Sequence, residues 1–423
     1  MSLKNQARSI LLRNPKPGKI SRGALITYLQ AAVTPASRFS TRSEKKLSLV
    51  GYRHAMKFFR ERGEGGKQVF TSLFAPIELV YALDLLPFPL EAMSGAAASF
   101  DIADRLLQKT DEEWHSADIC SFHRTFIGIS RFGLLPSPRF LLATSHCCDG
   151  TMKSFSEVAG YFSKPLFFIH TPQRSDRGGV SYLADQIRTC AEDAASLTNK
   201  RFSMQKLETA FEYSNRARRA LVEIEELRKN HPPLIWGSDG FGFVLAWATF
   251  LGSRGGAGVF ERYMNELKRK KEKAYGKPAK KRVLWLHLKP YFSNTIIDWM
   301  EKELGAVIVF EDINSVRWED LDIGRPWESL ARKLLSHPWV GPIENRLKNI
   351  KRIIEEYRID GVINFTHWGC RQSNAAERLI RDAVSESGIP LLTIDGDLVD
   401  SRNYSEGQFK TRIEAFMELM EGC

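Results

Sequence analysis

The sequence predicts an α/β protein with two parallel-sheet domains, and three observations carry that prediction. Short runs such as Phe140–Ala143, Leu166–Ile169 and Val283–Leu286 are apolar without alternation, as in strands covered on both faces. Helical periodicity fills the intervals between them. The whole pattern then restarts after a basic stretch, Lys268–Arg282, that contains Tyr275-Gly276-Lys277-Pro278. With 423 residues the chain is long enough for more than one core. We divide it into a basic helical extension (1–66), an N-terminal α/β domain (67–277) and a C-terminal α/β domain (278–423).

The elements follow in order. Residues 1–66 read as helical pieces broken by Pro15, Pro17, Pro35 and the glycines at 63, 65 and 66. Val69-Phe70-Thr71-Ser72-Leu73 reads as a strand, and Pro76 opens a helix expected to run through Leu86. Residues 205–229 are charged and periodic, as in a surface helix. Beyond the basic stretch come Val283–Leu286, a helix near Ile296–Leu304, Ala306–Phe310, Val362–Phe365 and Leu391–Ile394. A helix is expected to begin around Asn374, with Asn374 and Glu377 as its capping pair.

Composition excludes several classes. Apolar residues make up 43% and aromatics 11% of the chain, too much for a disordered protein. The net charge of +11 sits in residues 1–66, with 14 Lys and Arg against 3 Glu; the remainder holds 47 basic and 47 acidic residues. A charge confined to the front argues against nucleic acid as a partner of the body. No segment is apolar enough to span a membrane or to act as a signal peptide, so an intracellular, cytoplasmic protein is expected. Six cysteines are too few for a disulfide scaffold.

Three of those cysteines fall at strand ends or helix starts. Cys370 follows the strand ending at Phe365 and precedes a helix. Cys148 follows the Leu141-Leu142 strand in Ser145-His146-Cys147-Cys148-Asp149-Gly150, with Asp149 placed to cap the next helix. Cys120 stands near another helix start, with Asp118 as cap. Open parallel sheets bind ligands at that edge. A helix N-terminus is expected to lower a thiol pKa. A single cysteine in a core is ordinarily a small apolar residue, but three in such loops could hold a metal–sulfur cluster. Their separations match no compact zinc or ferredoxin pattern, so the fold must assemble any shared site. His123, His146 and His367 each lie within three residues of one of these cysteines and could donate to cluster sulfurs or to substrate. Cys190 and Cys423 carry no such signal. Walker A, GxGxxG, GxSxG and HExxH motifs are absent.

Several blocks resemble a known family. They are Trp368-Gly369-Cys370-Arg371-Gln372-Ser373, Asp395-Gly396-Asp397, and Asn403-Tyr404-Ser405-Glu406-Gly407-Gln408, with Cys148-Asp149-Gly150, Asp118-Ile119-Cys120 and Pro76-Ile77-Glu78-Leu79. The chain resembles subunits of 2-hydroxyacyl-CoA dehydratases and benzoyl-CoA reductases, of the 2-hydroxyglutaryl-CoA dehydratase D-component type, over about residues 67–423.

The resemblance implies two Rossmann-like domains flanking a 4Fe-4S cluster. Cys120, Cys148 and Cys370 match its ligands, with the fourth iron left to water, sulfide or substrate. It implies electrons from a separate ATP-hydrolysing iron–sulfur activator, a sister subunit in a homo- or heterodimer, and an acyl-CoA substrate. The dehydratases work anaerobically by a radical mechanism, through one-electron reduction of the thioester to a ketyl. Glu78 matches an acidic position and is expected to act in acid–base chemistry or to touch substrate, with Ser72 at the same sheet edge. His123, His146, His367, Asp149, Arg371, Asp397, Arg402 and Asn403 are expected beside the cluster or substrate. Cys147, adjacent to Cys148, is either structural or a ligand of a double-cubane cluster, as in relatives that reduce small molecules. A non-catalytic partner subunit is a further alternative.

Overall fold

The computed structural model describes residues 66–423 apart from 114, 147, 200, 241–242, 274–277 and 423. The basic extension up to residue 65, Cys147 and Cys423 lie outside the described residues.

Two four-stranded sheets organise the molecule, and all strand pairs in both are parallel. The first contains β1 (Gln68–Thr71), β2 (Leu86–Pro89), β3 (Phe140–Thr144) and β4 (Leu166–Ile169), in the order β2-β1-β3-β4. The second contains β5 (Lys281–Leu286), β6 (Ala306–Glu311), β7 (Gly361–His367) and β8 (Leu391–Gly396), in the order β6-β5-β7-β8. The predicted α/β class with two Rossmann-like halves is what the structure has. The central strands are buried along their length, with Val69 opposite Phe140 and Leu284 opposite Val362. Burial on both faces is why they read as unbroken apolar runs.

The helices used below are α1 (Ile77–Ala82), α2 (Leu90–Ser99), α3 (Ala103–Glu112), α4 (Ser121–Arg131), α5 (Thr151–Phe162), α6 (Arg177–Leu197), α7 (Met204–Arg228), α8 (Pro326–Leu335), α9 (Ile343–Glu356), α10 (Arg371–Ala375) and α11 (Glu377–Ser385).

Four local expectations change. The helix opened by Pro76 stops at Ala82; Asp84 takes φ +58° and turns the chain into β2. Pro87 and Pro89 hid that strand, and both are tolerated because β2 is a sheet edge. The helix after Cys370 begins at Arg371, so Asn374 lies inside it and donates to the His367 carbonyl at 3.3 Å. Glu377 accepts from Thr393 and Arg381 instead of capping with Asn374. Asp149 and Asp118 cap nothing: no side chain caps α5 or α4. Finally, α7 is half core, burying Leu207, Phe211, Ala217, Leu221 and Ile224, because it packs against the Arg254–Glu272 helix and α1.

The halves share their interior. One apolar cluster joins Phe70 and Leu141 of the first sheet to Val283, Trp285 and Ile363 of the second. The segment after β6 returns to the first half, where Ile313, Trp318, Leu330 and Leu334 enter its core. A buried ion pair crosses as well: Arg228 of α7 donates Nη1 and Nη2 to Glu311 of β6 at 2.7 and 2.8 Å. Arg228 also donates Nε to the Val309 carbonyl at 2.8 Å.

Candidate functional site

In both sheets the chain winds outward in opposite directions from the first and third strands, which creates a crevice at their carboxyl ends. In the first half that crevice lies between Ser72, just past β1, and the Ser145–Gly150 loop after β3. In the second it lies between His287, just past β5, and the Trp368–Cys370 turn after β7.

Cys120, Cys148 and Cys370 are all free thiols, and they lie near enough for their charges to bear on one another's ionisation. Cys120 immediately precedes α4, Cys370 immediately precedes α10, and Cys148 lies three residues before α5. Gly369 sets the contact between two of the loops. It holds φ +73°, and a Cβ there would stand 2.6 Å from the Cys120 nitrogen and 2.7 Å from the Asp118 carbonyl oxygen. Only glycine combines that conformation with that approach.

Each sulfur faces a histidine. Cys120 Sγ lies 3.3 Å from His367 Nε2, Cys148 Sγ 3.3 Å from His123 Nε2, and Cys370 Sγ 3.7 Å from His287 Nε2. The hydrogen-bond network assigns two of these rings opposite roles. Ser154 spends its one hydroxyl hydrogen on the Gly150 carbonyl at 2.8 Å, so His123 Nδ1 donates to Ser154 Oγ and Nε2 is left to accept. The Leu398 N–H donates to His367 Nδ1 at 3.3 Å, so the neutral ring carries its hydrogen on Nε2, toward Cys120. Burial lowers the pKa of all three rings, that of His367 to about 4, which keeps them neutral.

The thiols depart from the sequence expectation. Burial pushes all three pKa values up, Cys120 furthest, and the neighbouring sulfurs add to the rise for Cys120. The N–H groups of Phe122, Gly150 and Ser373 act in the lowering direction, but desolvation outweighs them.

The donor set is three thiols, each beside a ring nitrogen. Among the described residues no three His, Cys, Asp or Glu side chains converge on a single-ion site. A cubane takes one thiolate per iron, so its ligands stand around a volume. Three thiols close enough to influence one another's ionisation, each steadied by a ring nitrogen, match that requirement.

The other expected residues are spread over several places. Asp397 is buried under the site, where its Oδ1 accepts from Ser121 Oγ at 2.6 Å and from the Val399 and Asp400 N–H groups at 2.8 Å. Arg402 clasps Asp400 and reaches Asp111, while Asn403 is half-buried in the same short turn. Arg371 and Asp149, both exposed, face each other at 3.8 Å. Ser72 Oγ accepts the Thr144 N–H at 3.1 Å and ties β1 to β3. Glu78 is fully buried, bound by Ser214 Oγ at 2.7 Å and by the Lys333 ammonium. Its polar partners lie on α7 and α8 rather than among the thiols. His146 stacks on Phe74 with ring centres 4.3 Å apart, and neither ring nitrogen has a partner. Cys190 is buried in α6.

A cleft of about 340 Å³ opens beside the thiols, lined by Ser145, His146, Asp149, Trp339, Arg346 and Arg371 among others. Sequence reasoning missed Arg346, Trp339, His287 and Glu91. His287 was within reach of the same logic as the cysteines, since it directly follows a buried strand. It holds φ +76°, a conformation rare for residues other than glycine, and stacks on Trp339. Glu91, in the first turn of α2, is close enough to Cys148 and His123 to affect both ionisations.

A family model described as "2-hydroxyglutaryl-CoA dehydratase, D-component" matches residues 72–420. The chain belongs to this family. Within the 2-hydroxyglutaryl-CoA dehydratase D-component family, it is 22% identical to the (R)-phenyllactyl-CoA dehydratase alpha subunit of Clostridium sporogenes, over 85% of this chain and 91% of that one. It is 24% identical to the alpha subunit of (R)-2-hydroxyglutaryl-CoA dehydratase from Acidaminococcus fermentans, over 68% of this chain and 61% of that one. It is 22% identical to a benzoyl-CoA reductase polypeptide of Thauera aromatica, over 75% of this chain and 80% of that one. Among the described residues no helix is long and apolar enough to cross a membrane.

Proposed function

We propose that this chain is an iron–sulfur subunit of an enzyme that processes acyl-CoA thioesters, in the manner of the 2-hydroxyacyl-CoA dehydratases. A sister subunit and a separate ATP-hydrolysing iron–sulfur activator complete the system, in the cytoplasm. The observation that carries this reading is the meeting of three histidine-backed thiols, drawn from both halves, beside a cleft.

In this reading Cys120, Cys148 and Cys370 hold a 4Fe-4S cluster. When bound, such a cluster supplies single electrons at low potential. The chain's own residues do the rest. His123 Nε2 is placed to take the proton that Cys148 loses on binding metal. His367 Nε2–H donates to the Cys120 sulfur, an interaction that raises the reduction potential of a thiolate-bound centre. Asp397 fixes the Leu398 loop whose N–H sets the His367 tautomer. Arg371 and Asp149 guard the mouth of the cleft toward substrate, and Arg402 and Asn403 brace the turn around Asp400 behind the site. Ser72 braces the first sheet's edge by tying β1 to β3, and Glu78, buried against Ser214 and Lys333 away from the thiols, is a structural carboxylate in this reading rather than the acid–base or substrate contact expected from the sequence.

Anaerobic reconstitution with iron and sulfide tests this. About 4 iron atoms per chain support the single cubane, and about 8 favour a double cubane that also recruits Cys147. A chain that retains no iron or sulfide overturns the reading.

A further inference from the structure

The cleft contains a cation without a complete set of partners. Arg346 projects from α9, its side chain 1% exposed. Its Nε donates to Asp312 Oδ2 at 2.9 Å, and its guanidinium lies over the Trp339 ring, 4.2 Å from the centre. Asp312 is held in turn by the His287 N–H at 2.8 Å and by Trp339 Nε1–H at 2.8 Å. One edge of the guanidinium is therefore fixed. The two terminal nitrogens, Nη1 and Nη2, are buried and have no hydrogen-bond partner.

An unpaired buried donor is costly, and more so when charged, so two on one rigid group mark a place built for an acceptor. Arg346 is also near the thiols: its positive charge acts to lower the pKa of both Cys370 and His287. Two more residues of the same cleft have unpartnered polar atoms, Thr171 at Oγ1 and His146 at both ring nitrogens.

We propose that Arg346 is a substrate-binding residue whose free fork takes two oxygens of the acyl group, one bearing negative charge or able to acquire it. A planar guanidinium gripped at Nε offers its Nη pair to two coplanar oxygens. Two sources supply that chemistry in a thioester substrate: the carbonyl oxygen with an adjacent 2-hydroxyl, or a carboxylate at the far end of the acyl chain. Thr171 and His146 complete the polar wall around it. This inference rests on the thioester reading above.

The test measures binding to the reconstituted chain by calorimetry, without turnover. Three probes are used: a 2-hydroxyacyl-CoA, its unsubstituted acyl-CoA, and an acyl-CoA of equal length ending in a carboxylate. Wild type is expected to prefer one oxygen-rich probe over the plain acyl-CoA by about ten- to a hundredfold. Preference for the 2-hydroxy probe assigns the fork to the carbonyl–hydroxyl pair, and preference for the carboxylate probe assigns it to the chain end. Arg346→Gln should abolish the preference, and Arg346→Lys should restore part of it. Thr171→Val leaves the Arg346–Asp312 pair intact and should weaken the same probe by about threefold to tenfold, which keeps the test decisive if Arg346→Gln does not fold. Equal binding of all three probes by wild type, or an unchanged preference in both Arg346→Lys and Thr171→Val, overturns the inference and leaves the thioester reading standing. Failure of every thioester to bind overturns both.

Discussion

The two sheet edges have the same strand order and yet contribute differently. In each, the loop after the third strand carries a cysteine, Cys148 in the first half and Cys370 in the second. The loop after the first strand differs. In the second half it carries His287, which faces Cys370 within the same half. In the first half it carries Ser72, which only ties β1 to β3. The first half adds a thiol, Cys120, but its histidine partner, His367, comes from the second half. Cys148 and Cys370 are thus self-sufficient, while Cys120 depends on the seam. Duplicating a sheet edge provides two sites of one kind, and the contacts across the seam make them one site.

The largest expected effect breaks the trio itself. Cys370→Ala, Cys120→Ala or Cys148→Ala should each take reconstituted iron to near background; full retention in any one removes that residue from the ligand set. The seam comes next. Arg228→Met leaves Glu311 buried without its partner and should cost about 3–5 kcal/mol in denaturant unfolding. A loss below about 1 kcal/mol would mean the halves are held by apolar packing alone. Gly369→Ala sharpens the comparison, because it pushes the Cys370 turn off the Cys120 backbone. Strain and displacement there should cost about 2–3 kcal/mol and lower iron retention, whereas Gly160→Ala, in open space on α5, should be neutral or slightly stabilising.

A further effect is in pH. His337 lies beneath the first edge, beside Phe74 and His146, and burial lowers its pKa from 6.5 to about 4. Below pH 6.5 the unfolded chain binds a proton that the folded chain refuses until about pH 4, so stability falls as pH drops through that window. The slope from this group is up to about 1.4 kcal/mol per pH unit. His337→Gln should flatten the dependence between about pH 6.5 and 4.5, and an unchanged slope would assign it to the other buried histidines.

Much of this architecture was legible in the sequence. Unbroken apolar runs revealed the central strands, and the position of Cys148 and Cys370 just beyond two of them marked the edge. β2 was not legible, because two prolines disguise an edge strand. The ionisation of the thiols was not legible either, since helix-end polarity is local to the sequence and desolvation is set by everything packed around it. Arg346 gave no signal at all. It sits in a charged amphipathic helix, and only packing against Trp339 and Asp312 turns it from a surface cation into a buried one.

The wide spacing of the thiols also orders events during synthesis. Cys120 and Cys148 leave the ribosome 222 residues or more ahead of Cys370, and Gly369 must already lie against Cys120 before the third sulfur is in place. Metal arriving on the growing chain therefore meets at most two of the three thiols. On the proposed cluster reading, loading is then a late step, and a chain truncated or stalled before Cys370 offers only two of the three thiols.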